Sequence, residues 1–259
     1  MQPYFGDIPS YAVFASIGLF VMMLVLYFRC VNLEFRNFLI LIFLMVLGAA
    51  AGSKCLFIIT KIPEMLIEPT FKSIFRVIIT SGFVFYGGLF GAVLGAFLFA
   101  RLFTQNMKML LDLLSTGFVT FHIFGRIGCF FAGCCYGKEV NWGFPMADEP
   151  EILRIPVQLI ESLCLAGILS VILMREKYLK TKEHSFEIYL GLYAMCRFGI
   201  EFLRGDSVRG FLGVFSVSQW ISLGILLGIL LNIIKHHFTA FGLRRFFKTQ
   251  IFQGFNNKL

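Results

Sequence analysis

Apolar residues in this chain run in long, nearly uninterrupted blocks, and that layout decides what it can fold into. A helix needs about 20 apolar residues to cross the roughly 30 Å hydrocarbon core of a bilayer. Seven blocks approach that length: 8–28, 38–59, 78–100, 109–127, 158–174, 186–202 and 211–234. Hydrophobic residues make up 58% of the 259 and charged residues only 15%, against about 25% charged in soluble domains. The expected fold is an all-α polytopic integral membrane protein. It has about seven transmembrane helices in a single transmembrane domain covering residues 1–259. The same composition excludes a disordered chain, a collagen-like fibre and a small disulfide scaffold.

The net charge of +8 invites a nucleic-acid reading until the basic residues are located. They lie mostly between the apolar blocks, where they orient the protein and face lipid headgroups; the expected partner is the bilayer, not nucleic acid. With the N-terminus outside, the inside segments hold 13 Lys and Arg and the outside segments 7. That bias places the C-terminus in the cytoplasm with a basic tail, 235–259. The segments 61–77 and 137–157 fall outside, and any extramembrane head is built from them. The first block lacks a basic leader, so it reads as a retained helix rather than a cleaved signal.

An ionisable side chain at membrane depth costs about 2.5–3.5 kcal/mol on insertion scales, so each one asks for a function. In the sixth block Arg197, Glu201 and Arg204 follow one another at helical spacing on one stripe, two cations around one anion. This is either a phosphate-binding site or a structural Arg197–Glu201 pair with an interfacial Arg204. The fourth block, which also carries Asp112 and His122, ends Gly125-Arg126-Ile127-Gly128, followed by Gly133 and Gly137. The glycines let the backbone turn and bring Arg126 close to a ligand or to another helix. Arginine presents a permanent, planar charge suited to phosphate oxygens, so arginines converging from different helices suggest a phospholipid. The alternative is a guanidinium capping the end of its own helix.

The fifth block opens with Gln158 and Glu161 on one face. Glu161 reads as a partner for a buried arginine, a proton acceptor, or a structural hydrogen-bonding group. In the third block Tyr86-Gly87-Gly88 precedes Gly91-x-x-x-Gly95, a pattern of close helix packing. Tyr11 and Tyr86 read as interfacial aromatics or as lining of a lipid pocket, and His122 as a satisfied bundle histidine. Cys129-x-x-x-x-Cys134-Cys135 stands apart from the other four cysteines. Near the outer face it allows a disulfide or a reactive thiol, yet it matches no familiar metal spacing and has no histidine nearby. No metal and no soluble cofactor are expected.

Taken in order, these residues resemble the bacterial prolipoprotein diacylglyceryl transferases over about residues 5 to 235. The most specific part is Gly125-Arg126-Ile127-Gly128 with Gly133 and Gly137. Around it lie Tyr11, the Gly87-Gly88 pair, Gln158 with Glu161, and Arg197, Glu201, Arg204 and Asp206. The resemblance implies transfer of the diacylglyceryl group of phosphatidylglycerol to the lipobox cysteine thiol in the signal peptide of a preprolipoprotein. A thioether forms and glycerol phosphate leaves, at the plasma (inner) membrane of a bacterium. It also implies that Arg126 and Arg197 grip the lipid phosphate, Glu201 orients Arg197, and Tyr11 and Tyr86 line the pocket. The family usually has histidine at the position of Tyr86, and asparagine, asparagine and glutamate at those of Cys129, Ala132 and Cys134. The base is therefore open among Glu201, Glu161 and Tyr86. Two rival readings are a phospholipid-dependent transferase with another acceptor and a lipid-binding or transport protein without chemistry.

Overall fold

A computed structural model describes residues 2–30, 33–67, 70, 85–147, 149–206 and 210–235, without the side chains at 60, 61, 63–67, 85 and 86. It is mostly helical: α1 (Ser10–Arg29), α2 (Phe35–Ile67), α3 (Phe85–Leu102), α4 (Met107–Ala132), α5 (Val157–Leu179), α6 (Ser185–Ile200) and α7 (Val217–Lys235). Three antiparallel strand pairs accompany them among the described residues: β1 (Tyr4–Phe5) with β2 (Ile8–Pro9) ahead of α1, β3 (Glu139–Pro145) with β4 (Leu153–Arg154) between α4 and α5, and β5 (Phe211–Leu212) with β6 (Phe215–Ser216) ahead of α7.

Among the described residues, five helices are long and apolar enough to cross a membrane: α1, the Phe35–Ile59 part of α2, α4, α5 and α7. Their outward faces stay apolar, with Leu163 73% and Phe43 63% exposed, which suits lipid rather than water. The other two expected blocks are helical in their described residues, and 78–84 of the third block lie outside those residues. The apolar part of α3 is Gly87–Leu102, and α6 has 16 residues before it tightens into a 3₁₀ turn at Glu201–Leu203. The first and last blocks each lose their opening residues to a hairpin. Gly6 and Gly213 supply the positive φ, +63° and +66°, at the first position of a two-residue loop. Ser216 and Gln219 then start α7 as a capping box: the Ser216 N–H donates to Gln219 Oε1 at 3.0 Å and the Gln219 N–H to Ser216 Oγ at 3.3 Å. At the other end of the chain, α2 runs on to Ile67, into the 61–77 segment. Residues 68, 69 and 71–77 of that segment and the tail beyond Lys235 lie outside the described residues.

The chain divides into two units. One holds the described residues of Leu19–Phe118 and Lys180–Phe186. In it α2 and α3 meet backbone to backbone: a side chain on Gly48, Gly52, Gly87, Gly91 or Gly95 would overlap the opposite main chain. Leu26, Leu41, Phe99 and Leu114 fill its interior. Asp112 is buried there as a cap, its carboxylate accepting the His184 and Phe186 N–H groups at 3.0 Å at the start of α6.

The other unit holds the described residues of Met1–Gly18, Val119–Leu179 and Glu187–Leu259. Gly18 brings α1 onto Phe124 of α4. Beyond α4, β3 and β4 form a small sheet in the 137–157 segment. Here Arg154 bonds Glu149 at 2.8 Å, pairs with Glu139 at 3.2 Å and lies 4.5 Å from the centre of the Tyr136 ring. Most of the polar residues singled out from sequence fall within this second unit.

Candidate active site

Glu161, one turn into α5 and 2% exposed, is the hub of a buried polar cluster. Its Oε1 pairs with Arg126 Nη2 of α4 at 3.0 Å and accepts the Tyr193 hydroxyl of α6 at 2.7 Å. Its Oε2 accepts Arg197 Nη1 of α6 at 3.3 Å. Arg197 continues outward from there: its Nη2 pairs with Glu201 Oε2 at 2.9 Å and donates to Ser218 Oγ at 3.2 Å. Helical spacing explains the layout, since Tyr193, Arg197 and Glu201 follow at i, i+4 and i+8 and share one face. One carboxylate thus positions two guanidinium groups carried by different helices.

Arg204 follows the 3₁₀ turn and is held at Nε by Asp206 Oδ1 at 2.8 Å. The expected stripe of two cations around one anion is therefore balanced. The three arginines Arg126, Arg197 and Arg204 face three carboxylates, Glu161, Glu201 and Asp206. Arg126 is the one of the three whose side chain keeps 15% exposure, and Glu161 is its ion-pair partner among the described residues. A guanidinium has five N–H donors, so the Glu161 pair leaves donors of Arg126 available to a ligand.

The glycines have distinct duties. A side chain at Gly128 would meet Tyr11 and Phe14 of α1, at 3.3 and 3.1 Å, so this glycine seats α1 beside the arginine turn. Gly133 takes φ +72° and ends α4. Gly137 packs against Ile155, whose carbonyl would lie 2.5 Å from an added Cβ. Gly125 has nothing within 4 Å of such an atom and leaves open space next to Arg126. Gln158, 1% exposed, donates Nε2 to the Cys134 carbonyl at 2.6 Å, while its Oε1 has no hydrogen-bond partner among the described residues. At the same turn, hydrogen bonds from Cys129 and Cys134 and the charges of Arg126 and Arg204 hold the Cys135 thiol below its ordinary range.

The structure therefore brings together Arg126, Glu161, Arg197 and Glu201, with Tyr11, Gln158 and the four glycines of the signature in the same unit. Gly87 and Gly88 belong to the other unit. Gly87 is accounted for by packing on Gly52, and Gly88 is less crowded, 3.6 Å from the Ala49 carbonyl. The Tyr86 side chain lies outside the described residues. His122 is a bundle histidine, its Nδ1 3.2 Å from the Tyr189 hydroxyl and its ring 4.7 Å from that of Tyr193. Sequence reasoning missed Tyr193 and Ser218. Tyr193 carried a signal, the same four-residue step that links Arg197 to Glu201; Ser218, at the head of another helix, carried none.

The family model for prolipoprotein diacylglyceryl transferase matches residues 4–234. The chain is 35% identical to phosphatidylglycerol–prolipoprotein diacylglyceryl transferase 2 of Clostridium perfringens over 200 residues, 74% of this chain and 77% of the relative. It is 31% identical to the corresponding transferase of Clostridium tetani over 191 residues, 71% of this chain and 75% of the relative. With that of Aliarcobacter butzleri it shares 30% over 199 residues, 73% and 70% of the two chains.

Proposed function

This chain belongs to the prolipoprotein diacylglyceryl transferase family, and from that premise we propose how its buried arginine cluster carries out the reaction. The chain is an enzyme that transfers the diacylglyceryl group of phosphatidylglycerol to a prolipoprotein. Its matched relatives are transferases, which favours catalysis over lipid carriage and the standard acceptor over another one.

The observation that carries the mechanism is the sharing of Glu161 between Arg126 and Arg197. The phosphate of phosphatidylglycerol docks on the Arg126 donors that Glu161 does not take, with Arg197 behind it. When the carbon–oxygen bond to the diacylglyceryl group breaks, the leaving glycerol phosphate gains negative charge where water cannot screen it. Guanidinium groups fixed in advance stabilise that charge most strongly in the transition state. Glu161, with Arg126, Arg197 and Tyr193 on its oxygens, orients the arginines instead of accepting a proton. Glu201 holds Arg197 from the far side. The Gln158 Oε1, without a hydrogen-bond partner among the described residues, suits a hydroxyl of the glycerol headgroup, and Tyr11 lines the pocket beside Gly128.

The acceptor in this reading is the lipobox cysteine of a preprolipoprotein signal peptide, whose sulfur takes the diacylglyceryl carbon as a thioether. The enzyme sits in the bacterial inner membrane with seven spans, α3 and α6 completing the five long ones. The N-terminus is outside and the tail cytoplasmic, which the Lys and Arg distribution supports. Incubating the purified protein with phosphatidylglycerol and a lipobox peptide tests this. Mass spectrometry should find the diacylglyceryl adduct and an equal amount of released glycerol phosphate. Absence of both, while a known family member succeeds alongside, would refute it.

A further inference from the structure

Three sulfurs that look unremarkable in the linear spacing Cys129-x-x-x-x-Cys134-Cys135 come together where α4 ends. The helix closes with the Cys134 N–H donating to the Cys129 carbonyl at 3.2 Å, and Gln158 pins the Cys134 carbonyl from α5. Cys135 then adopts φ +59°, a left-handed conformation that costs a residue with a side chain about 1–2 kcal/mol. The Sγ atoms of Cys129, Cys134 and Cys135 all lie within 4.8 Å of one another, and each is a free thiol.

We propose that Cys129, Cys134 and Cys135 form a three-thiolate site for a thiophilic divalent cation of the zinc class, whose fourth coordination position receives the acceptor thiol. The donor set is soft, as such a cation prefers. A tetrahedral ion at about 2.3 Å from each sulfur needs sulfur separations of about 3.8 Å, and small side-chain rotations reach that from the present 4.8 Å limit. Three thiolates and a divalent cation carry one net negative charge, and Arg126 and Arg204 lie near enough to Cys135 to act on it electrostatically. Three protein ligands with one exposed, Cys134, leave the open position that distinguishes a reactive site from a structural one. Cys129 follows Arg126 by three residues on the same helical face, so that open position adjoins the proposed phosphate site.

The second half of this proposal rests on the transfer reaction above. A thiol that binds the cation gives its proton to water and becomes a thiolate. Its sulfur lone pair forms the carbon–sulfur bond as the carbon–oxygen bond breaks. The bonding pair leaves with glycerol phosphate, and neither sulfur nor metal changes oxidation state.

Metal analysis and cobalt substitution of the full chain, purified in detergent with its thiols kept reduced, test this. About one zinc per chain is expected, falling at least about ten-fold in Cys134→Ser and unchanged in Cys164→Ser. The cobalt form should show sulfur-to-metal charge transfer that shifts on adding a lipobox peptide with cysteine and not its serine counterpart. Zinc at background overturns the proposal. So does a disulfide joining two of the three thiols in protein purified without reductant, and so does a cobalt spectrum indifferent to the cysteine peptide. Full-rate transfer by chelator-stripped protein also overturns it while leaving the transfer reaction standing. A peptide-sensitive cobalt spectrum with no transfer in any form would support the metal site and refute the reaction instead. Should Cys134→Ser fail to fold, the cobalt spectra of the unsubstituted chain decide.

Discussion

Arg126 of α4 and Glu161 of α5 form a 3.0 Å ion pair, and the same carboxylate takes Arg197 of α6 on its other oxygen. Removing that carboxylate leaves two guanidinium groups facing each other in a buried site. Breaking a buried pair from one side costs about 3–5 kcal/mol, because the remaining charge stays desolvated and unpaired. Glu161→Gln should therefore lower the thermal stability of the detergent-solubilised protein sharply and abolish transfer. Tyr193→Phe deletes a single neutral donor and should cost only about 1–3 kcal/mol, with transfer retained. Equal effects of the two substitutions would contradict the assignment of Glu161 as the hub.

The two neighbouring glycines of α3 separate packing from substrate contact. A Cβ at Gly91 would collide with the main chain of Gly48, whereas at Gly88 the nearest atoms are at ordinary contact distance. Gly91→Ala should lose about 1–3 kcal/mol of stability through the forced separation of α2 and α3. Gly88→Ala should leave the melting temperature in place. If Gly88→Ala also halts transfer at full stability, Gly88 touches substrate.

Asp112 shows how a charge inside an apolar block can be structural. Its carboxylate accepts two N–H groups at the start of α6. Asp112→Ala should destabilise the protein by about 1–2 kcal/mol, the usual worth of a helix cap, and Asp112→Asn, which keeps an accepting oxygen, by less. The KM for phosphatidylglycerol should not change in either. A specific loss of lipid affinity would assign Asp112 to the site instead.

The sequence announced its candidate functional residues through cost. Arg126, Glu161, Arg197 and Glu201 stand in blocks where lipid penalises them, and the folded chain gathers all four. Their partnership was less legible. The four-residue step predicts Arg197 beside Glu201, but nothing local says that Glu161 from another helix bridges Arg197 to Arg126. The block boundaries slipped where glycine turns interrupt apolar runs, since Gly6 and Gly213 make hairpins of residues as hydrophobic as the helices they precede. The cysteine cluster was hidden for a related reason. Its closeness depends on the backbone at Gly133 and Cys135 turning left-handed, which spacing alone does not reveal.

The most direct test of the arginine mechanism is the rate of glycerol phosphate release by Arg126→Lys, measured beside the unsubstituted protein with phosphatidylglycerol and a lipobox peptide. Lysine keeps the positive charge and loses the planar fork. A fall of about 10²-fold or more in kcat, in protein that still inserts and melts normally, is the expected result. A rate within a few-fold of the original would contradict the account, because the lipid phosphate would then not be read by the Arg126 guanidinium.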